Sequence, residues 1–174
     1  MRDLAVPLAT GEWVMMIYLL TVSSLLLSFG RLGDIRGRRW VYTRGLAVFA
    51  AGSLCCALAK RALWLIGSRA VQGIGAAMVM SCTQAIVADA FPESERGKAL
   101  GTLGAVVASG LSVGPALGGW ILHVASWPFI FWINIPIGVA TALYANRLLK
   151  SGRDDVIRRE SFDGWGALLL AVST

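Results

Sequence analysis

The 174 residues are 56% hydrophobic and only 15% charged, where an ordinary soluble domain carries about 25% charged residues. A globule of this size has too little interior to hide that much apolar surface, so a water-soluble enzyme is disfavoured from the outset. The net charge of +6 suggests nucleic acid as a partner, but the placement of the charges along the chain removes that reading.

The first residues do not form a cleavable signal peptide: Arg2 and Asp3 precede a short apolar stretch broken by Pro7 and Glu12. From Trp13 to Gly30 there is no charge, and roughly 20 apolar helical residues are enough to cross a bilayer core. A first span is therefore predicted over Trp13–Leu32. Thr21, Ser24 and Ser28 lie in line with Ile17 on one of its faces, beside Tyr18. A cavity wall and hydrogen bonding between helices both account for such a stripe.

Gly30-Arg-Leu-Gly-Asp-Ile-Arg-Gly-Arg-Arg39 follows. Its glycines permit a tight reversal with close backbone approach. Asp34 stands at the carboxyl end of the span, where the helix dipole disfavours an acid. It should therefore have a specific partner, a cation such as Arg38 or the amino end of another helix, and Asp89 at the end of a later span is a second candidate partner for Arg38. A plain basic stop-transfer loop explains the arginines but neither the glycines nor Asp34.

The second span is predicted over Trp40–Ala59, with Arg44 near enough to its basic end to extend its charge to the surface. The third covers Ala62–Phe91 and contains Leu65-Ile-Gly-Ser-Arg69-Ala-Val-Gln72-Gly73-Ile-Gly75-Ala-Ala77. At a rise of about 1.5 Å per residue, Arg69 lies ~10 Å into this helix. Gln72, Gly73, Ala76 and Met80 share its side. A cation at that depth normally faces a protein or aqueous interior, and a long side chain reaching the outer surface is the alternative.

The fourth span, Ala99–Val124, carries Gly110, Gly114 and Gly118 at every fourth position, followed by Gly119. These line one groove. Pro115 withholds an N–H from the carbonyl of Leu111, so a bend or loosening is expected there. A groove of small residues is also ordinary membrane packing. The fifth span is predicted over Trp127–Arg147, Ser151–Asp163 reads as a charged linker, and Gly164–Thr174 begins another apolar stretch too short to cross. That last feature, and the short lead before Trp13, read as a piece of a longer protein.

Basic residues crowd alternate connections: Arg31, Arg36, Arg38, Arg39 and Arg44, then Arg96 and Lys98, then Arg147, Lys150, Arg153, Arg158 and Arg159. The other side holds Arg2, Lys60 and Arg61. By the positive-inside rule the basic connections are cytoplasmic, and the intervening spans prevent them from forming one nucleic-acid face. Trp13, Trp40, Trp64, Trp127 and Trp165 sit near span ends, as an interfacial belt requires. Cys55, Cys56 and Cys82 lie within apolar spans and His123 is the sole histidine. No metal site, cofactor or disulfide framework is expected from them.

The Gly30–Arg39 run resembles the signature loop between helices two and three of the major facilitator superfamily. Gly30, Leu32, Gly33, Asp34, Gly37, Arg38 and Arg39 match, while Ile35 departs from the usual basic residue. The resemblance implies a conformational latch between two six-helix halves, with Gly30, Asp34, Gly37, Arg38, Arg39 and Asp89 as its parts. Arg69, Gln72 and Gly73 are similar to the pattern that drug/proton antiporters of the family link to proton coupling. Gly110, Gly114, Pro115, Gly118 and Gly119 resemble the antiporter motif, whose implied role is packing against helix eight of the other half.

Trp127-Pro-Phe-Ile-Phe131-Trp-Ile-Asn134-Ile-Pro136-Ile-Gly138 resembles the sixth-helix region of the 14-helix drug/proton antiporters, with Pro128 where an Arg is common. Ser161-Phe-Asp-Gly-Trp-Gly-Ala-Leu-Leu is similar to the start of their seventh helix, and Ala5-Val-Pro7 to the end of their first. The expectation is thus an all-α polytopic membrane protein. It comprises a partial six-helix amino-terminal bundle of the major facilitator type over residues 1–150, made of helices two to six. A cytoplasmic linker at 151–163 and the start of helix seven at 164–174 complete it.

The implied function is proton-coupled multidrug efflux by alternating access across the cell membrane. Its partners would be the lipid bilayer, protons and a small apolar or cationic substrate, with no nucleic acid. A narrow-substrate exporter on the same scaffold is the alternative, as is a truncated membrane remnant that does not transport. Coupling requires an acid inside the membrane, and Asp34 and Asp89 stand at its edge, so that acid is expected outside this stretch of chain.

Overall fold

The computed structural model describes residues 8–148, and its elements are all helices. Asp3, the Ala5–Pro7 stretch, the linker at 151–163 and the beginning of a further helix at 164–174 lie outside the described residues. Four helices are long and apolar enough to cross a membrane: α1 (Leu8–Arg36), α2 (Arg38–Ala57), α3 (Ala62–Ala90) and α4 (Glu93–Val124). A short α5 (Phe129–Trp132) and α6 (Asn134–Leu148) follow. The chain is a multi-pass helical membrane protein.

One residue separates α1 from α2. Gly37 has φ 93° and ψ 127°, a conformation that side-chain-bearing residues rarely adopt and glycine reaches freely. The reversal expected from the glycine-rich run thus falls on one of its glycines. Gly33 serves differently, for a Cβ there would meet Cys82 Sγ of α3 at 3.0 Å.

α3 is the centre of the described bundle. Its Gly73 faces α1, where an added Cβ would lie 2.9 Å from Thr21 Cβ and 3.1 Å from the Tyr18 carbonyl. Its Gly75 faces α2, where a Cβ would lie 2.7 Å from Phe49 Cα and 2.8 Å from the Gly45 carbonyl. Gly52 of α2 completes this seam against the Gln72 backbone. Without a hydrophobic effect inside a membrane, close backbone packing of this kind drives helices together.

Two apolar clusters sit toward opposite ends of the bundle. Val41, Met78 and Cys82 form one, against Phe29, Leu32 and Trp40. Val14, Cys56, Ala59 and Leu65 form the other, against Ile66, Trp127 and Phe131. Ser68, Arg69 and Gln72 of α3 lie between them.

Three spans differ from the sequence expectation. α1 covers Leu8–Arg36 rather than Trp13–Leu32, because it stays helical through the glycine-rich run until Gly37. α4 begins at Glu93 rather than Ala99, because Pro92 precedes its first turn and Glu93 and Glu95 occupy that turn, where the dipole favours acids. The predicted helix over Trp127–Arg147 is two helices, because Pro136 offers no N–H to the carbonyl of Trp132, where α5 ends. Pro115, by contrast, lies inside an unbroken α4.

Candidate functional site

Arg69 and Gln72 lie one turn apart on α3, and the two meet: Arg69 Nη1 donates to Gln72 Oε1 at 2.7 Å. Gln72 Nε2 donates in turn to Ser53 Oγ on α2 at 2.7 Å, and Ser53 Oγ donates to the Phe49 carbonyl at 2.9 Å. The chain of donors therefore runs from a guanidinium to the backbone of another helix. Gln72 and Ser53 are 1% and 0% exposed, and no buried polar side-chain atom among the described residues lacks a partner.

Arg69 Nε donates to the Val14 carbonyl of α1 at 3.2 Å. Its guanidinium carbon stands 4.4 Å from the Tyr18 ring centroid and 5.7 Å from that of Phe131. The charge is thus held by two π faces, an amide oxygen and a main-chain carbonyl, contributed by α1, α3 and α5. No carboxylate pairs with it among the described residues. Cation–π contacts contribute about 0.5–2 kcal/mol each and leave the guanidinium's positive charge in place. Gly73 and Ala76 are buried on this side, whereas Met80, placed on the same stripe by its spacing, is 55% exposed.

A second cluster joins the ends of α1, α2 and α3. Arg38 Nη2 and Nε bind Asp34 Oδ1 at 3.1 and 3.3 Å, and Arg38 Nη1 binds Asp89 Oδ2 at 2.5 Å. One guanidinium thus ties together three helices. Side-chain exposures of 33% for Arg38, 50% for Asp34 and 63% for Asp89 keep each pair near ~0–1 kcal/mol. Pairs of that strength suit a contact that is made and broken better than a permanent support. Gly37 supplies the turn, Arg39 is half-buried beside it, and Gly30 borders a cavity of about 310 Å³ together with Asp34, Arg38, Ser81 and Cys82.

The third set stays apart from both. Gly110, Gly114, Pro115, Gly118 and Gly119 lie on α4, none of whose residues is buried. A Cβ at any of the four glycines would meet nothing within 4 Å, so among the described residues the groove has no occupant.

Sequence reasoning did not find Ser53, Phe131 or the Val14 carbonyl. Ser53 sits in Ala51-Gly-Ser53, and the glycine before it was the available signal, since it lets α3 approach closely enough for the hydrogen bond.

A sequence model of the Major Facilitator Superfamily matches residues 1–171. The chain is 40% identical over 172 residues, 99% of its length, to the riboflavin transporter RibZ of Clostridioides difficile. It is 36% identical over 143 residues to the multidrug transporter protein MdtP of Bacillus subtilis, covering 82% of the chain. To the methylenomycin A resistance protein of the same organism it is 38% identical over 162 residues, 90% of the chain. The matched stretches span 38%, 26% and 35% of those relatives.

Proposed function

The chain belongs to the major facilitator superfamily, and on that premise we propose that it forms part of a proton-coupled exporter of small organic molecules. The family and the named relatives set it among transporters rather than enzymes. The observation that carries the proton-coupled reading is Arg69, a cation among three helices with aromatic and carbonyl neighbours. A carboxylate that approached it would bind when ionised and release when protonated, which converts a proton into a change of packing. That acid is expected elsewhere in the full protein.

In this reading the basic connections face the cytoplasm and the protein lies in the cell membrane. The Asp34–Arg38–Asp89 cluster is the latch, and the open groove of α4 receives a helix from the other half during alternating access. Multidrug efflux is the preferred substrate range. Efflux of one planar heteroaromatic compound is a second reading, favoured by the similarity to a riboflavin transporter.

Everted vesicles containing the full-length protein separate the possibilities. Addition of several unrelated lipophilic cations should partly discharge an imposed proton gradient, whereas the narrow reading requires a response to riboflavin-like compounds alone. Transport that persists unchanged after a protonophore removes the gradient would reject proton coupling.

The latch has its own test. Asp34→Asn should lower transport while leaving the inserted amount unchanged, because a bias of 1–2 kcal/mol between conformations is worth about ten-fold in population. Normal transport by Asp34→Asn, together with failure of Arg38→Ala, would remove Asp34 from that role.

A further inference from the structure

The end of the bundle that carries the latch holds a second cationic arrangement. The guanidinium carbons of Arg36 and Arg44 stand 5.5 and 4.4 Å from the centroid of the same indole, Trp40. Trp40 is half-buried against the Val41, Met78 and Cys82 cluster, so the ring is fixed while both arginines are exposed. Their distances to one ring put the two charges within about one Debye length, ~10 Å, of each other.

Like charges at that separation repel, and a carboxylate would relieve them. Of the acids at this end among the described residues, Asp34 and Asp89 are bound to Arg38 and Glu93 pairs with Arg96, while Glu95 lies in the first turn of α4 and forms no ion pair with Arg36 or Arg44. Neither Arg36 nor Arg44 forms an ion pair among the described residues. The pair therefore presents planar hydrogen-bond forks beside a rigid apolar ring, a geometry that matches phosphate.

Depth identifies the source of that phosphate. Arg44 lies on the second turn of a spanning helix that starts at Arg38, ~9 Å along the axis at 1.5 Å per residue. Indole rings settle at the boundary between headgroups and acyl chains. An anion held there is met from the bilayer side, where lipid phosphates reside and dissolved ions are scarce. We propose that Arg36, Trp40 and Arg44 form a site for the headgroup of one anionic phospholipid, with the phosphate between the guanidiniums and the acyl chains along α2.

The test is native mass spectrometry of the full-length protein released from detergent, titrated with phosphatidylglycerol and with phosphatidylcholine. Wild type should bind the anionic lipid more tightly, and the double variant Arg36→Gln/Arg44→Gln should weaken it by about 30-fold, from ~1 kcal/mol per surface-proximal arginine. Arg44→Gln alone should cost about five-fold on the same basis. Trp40→Leu, which keeps both charges, should cost a few-fold through the lost ring contacts.

Lys60→Gln/Arg61→Gln, which removes two charges at the opposite end, should leave the preference within two-fold. An equal loss in that control would mean diffuse attraction and overturn the site. Retention of the lipid by the Arg36/Arg44 double variant would overturn it as well. Displacement by millimolar inorganic phosphate as effective as by phosphatidylglycerol would show a free-anion site in place of a lipid site.

Discussion

Under the proposed proton-coupled exporter reading, Arg69→Ala should abolish export by the full-length protein at matched expression, and Arg69→Lys should restore less than about a tenth of it. The guanidinium satisfies two acceptors in different directions, the Gln72 amide oxygen and the Val14 carbonyl, while it lies over Tyr18 and Phe131. A planar five-donor fork can do this from one fixed position. An ammonium on a flexible stem keeps the charge but loses one of the two directed bonds. Hydrogen bonds to charged groups contribute about 1.5–3 kcal/mol each, so losing one costs ten-fold or more in whatever equilibrium depends on it. Export assayed in everted vesicles decides the matter. Near-normal export by Arg69→Lys would show that charge alone suffices and that the directed network is dispensable.

Gly75→Leu should prevent the bundle from assembling properly, with a loss of folded yield in size-exclusion profiles and a lower thermal midpoint. A Cβ there would strike the backbone nitrogen and Cα of Phe49 and the carbonyl of Gly45. None of these is the movable end of a side chain. α2 and α3 would have to separate, and the Gln72–Ser53 hydrogen bond beside the seam would stretch with them. Overpacking costs typically 1–3 kcal/mol, and the disturbed polar bond adds to it. Gly67→Leu provides the control, because a Cβ at Gly67 meets nothing within 4 Å. Equal stability of the two variants would disprove the close α2–α3 seam.

Much of the architecture was legible because bilayer thickness imposes a length on every crossing helix. Charge-free runs of that length, separated by basic clusters, left few alternatives for α1 to α4. The Asp34–Arg38 contact was also legible, since an acid at a helix carboxyl end needs a cation and Arg38 stood one turn away. The Arg69–Gln72 contact was legible too, from their spacing on one helix face, but the rings around Arg69 were not. The rings of Tyr18 and Phe131 come from α1 and α5, and whether they face α3 depends on helix rotation and register, which no local spacing encodes.

The division between α5 and α6 was hidden for another reason. Hydropathy reads the Phe129–Ala145 region as one apolar stretch, and only the missing donor of Pro136 separates it. Pro115 carries the same defect inside a helix that continues through it. The difference lies in length: α4 extends several turns on both sides of its proline, whereas the piece before Pro136 is barely one turn.

The donor chain through α3 also bears on biogenesis. A helix released from the ribosome with Arg69 and Gln72 exposed to hydrocarbon is a poorer candidate for the lipid phase, since an arginine costs up to about 2.5–3.5 kcal/mol on insertion scales, the upper value applying at the helix centre. Its acceptors, the Val14 carbonyl and Ser53, belong to α1 and α2, which are synthesised first. The nascent chain thus places the remedy in the membrane before the difficulty emerges. On this argument the partition of α3 into the bilayer should depend on its two predecessors, whose acceptors are in place when it emerges.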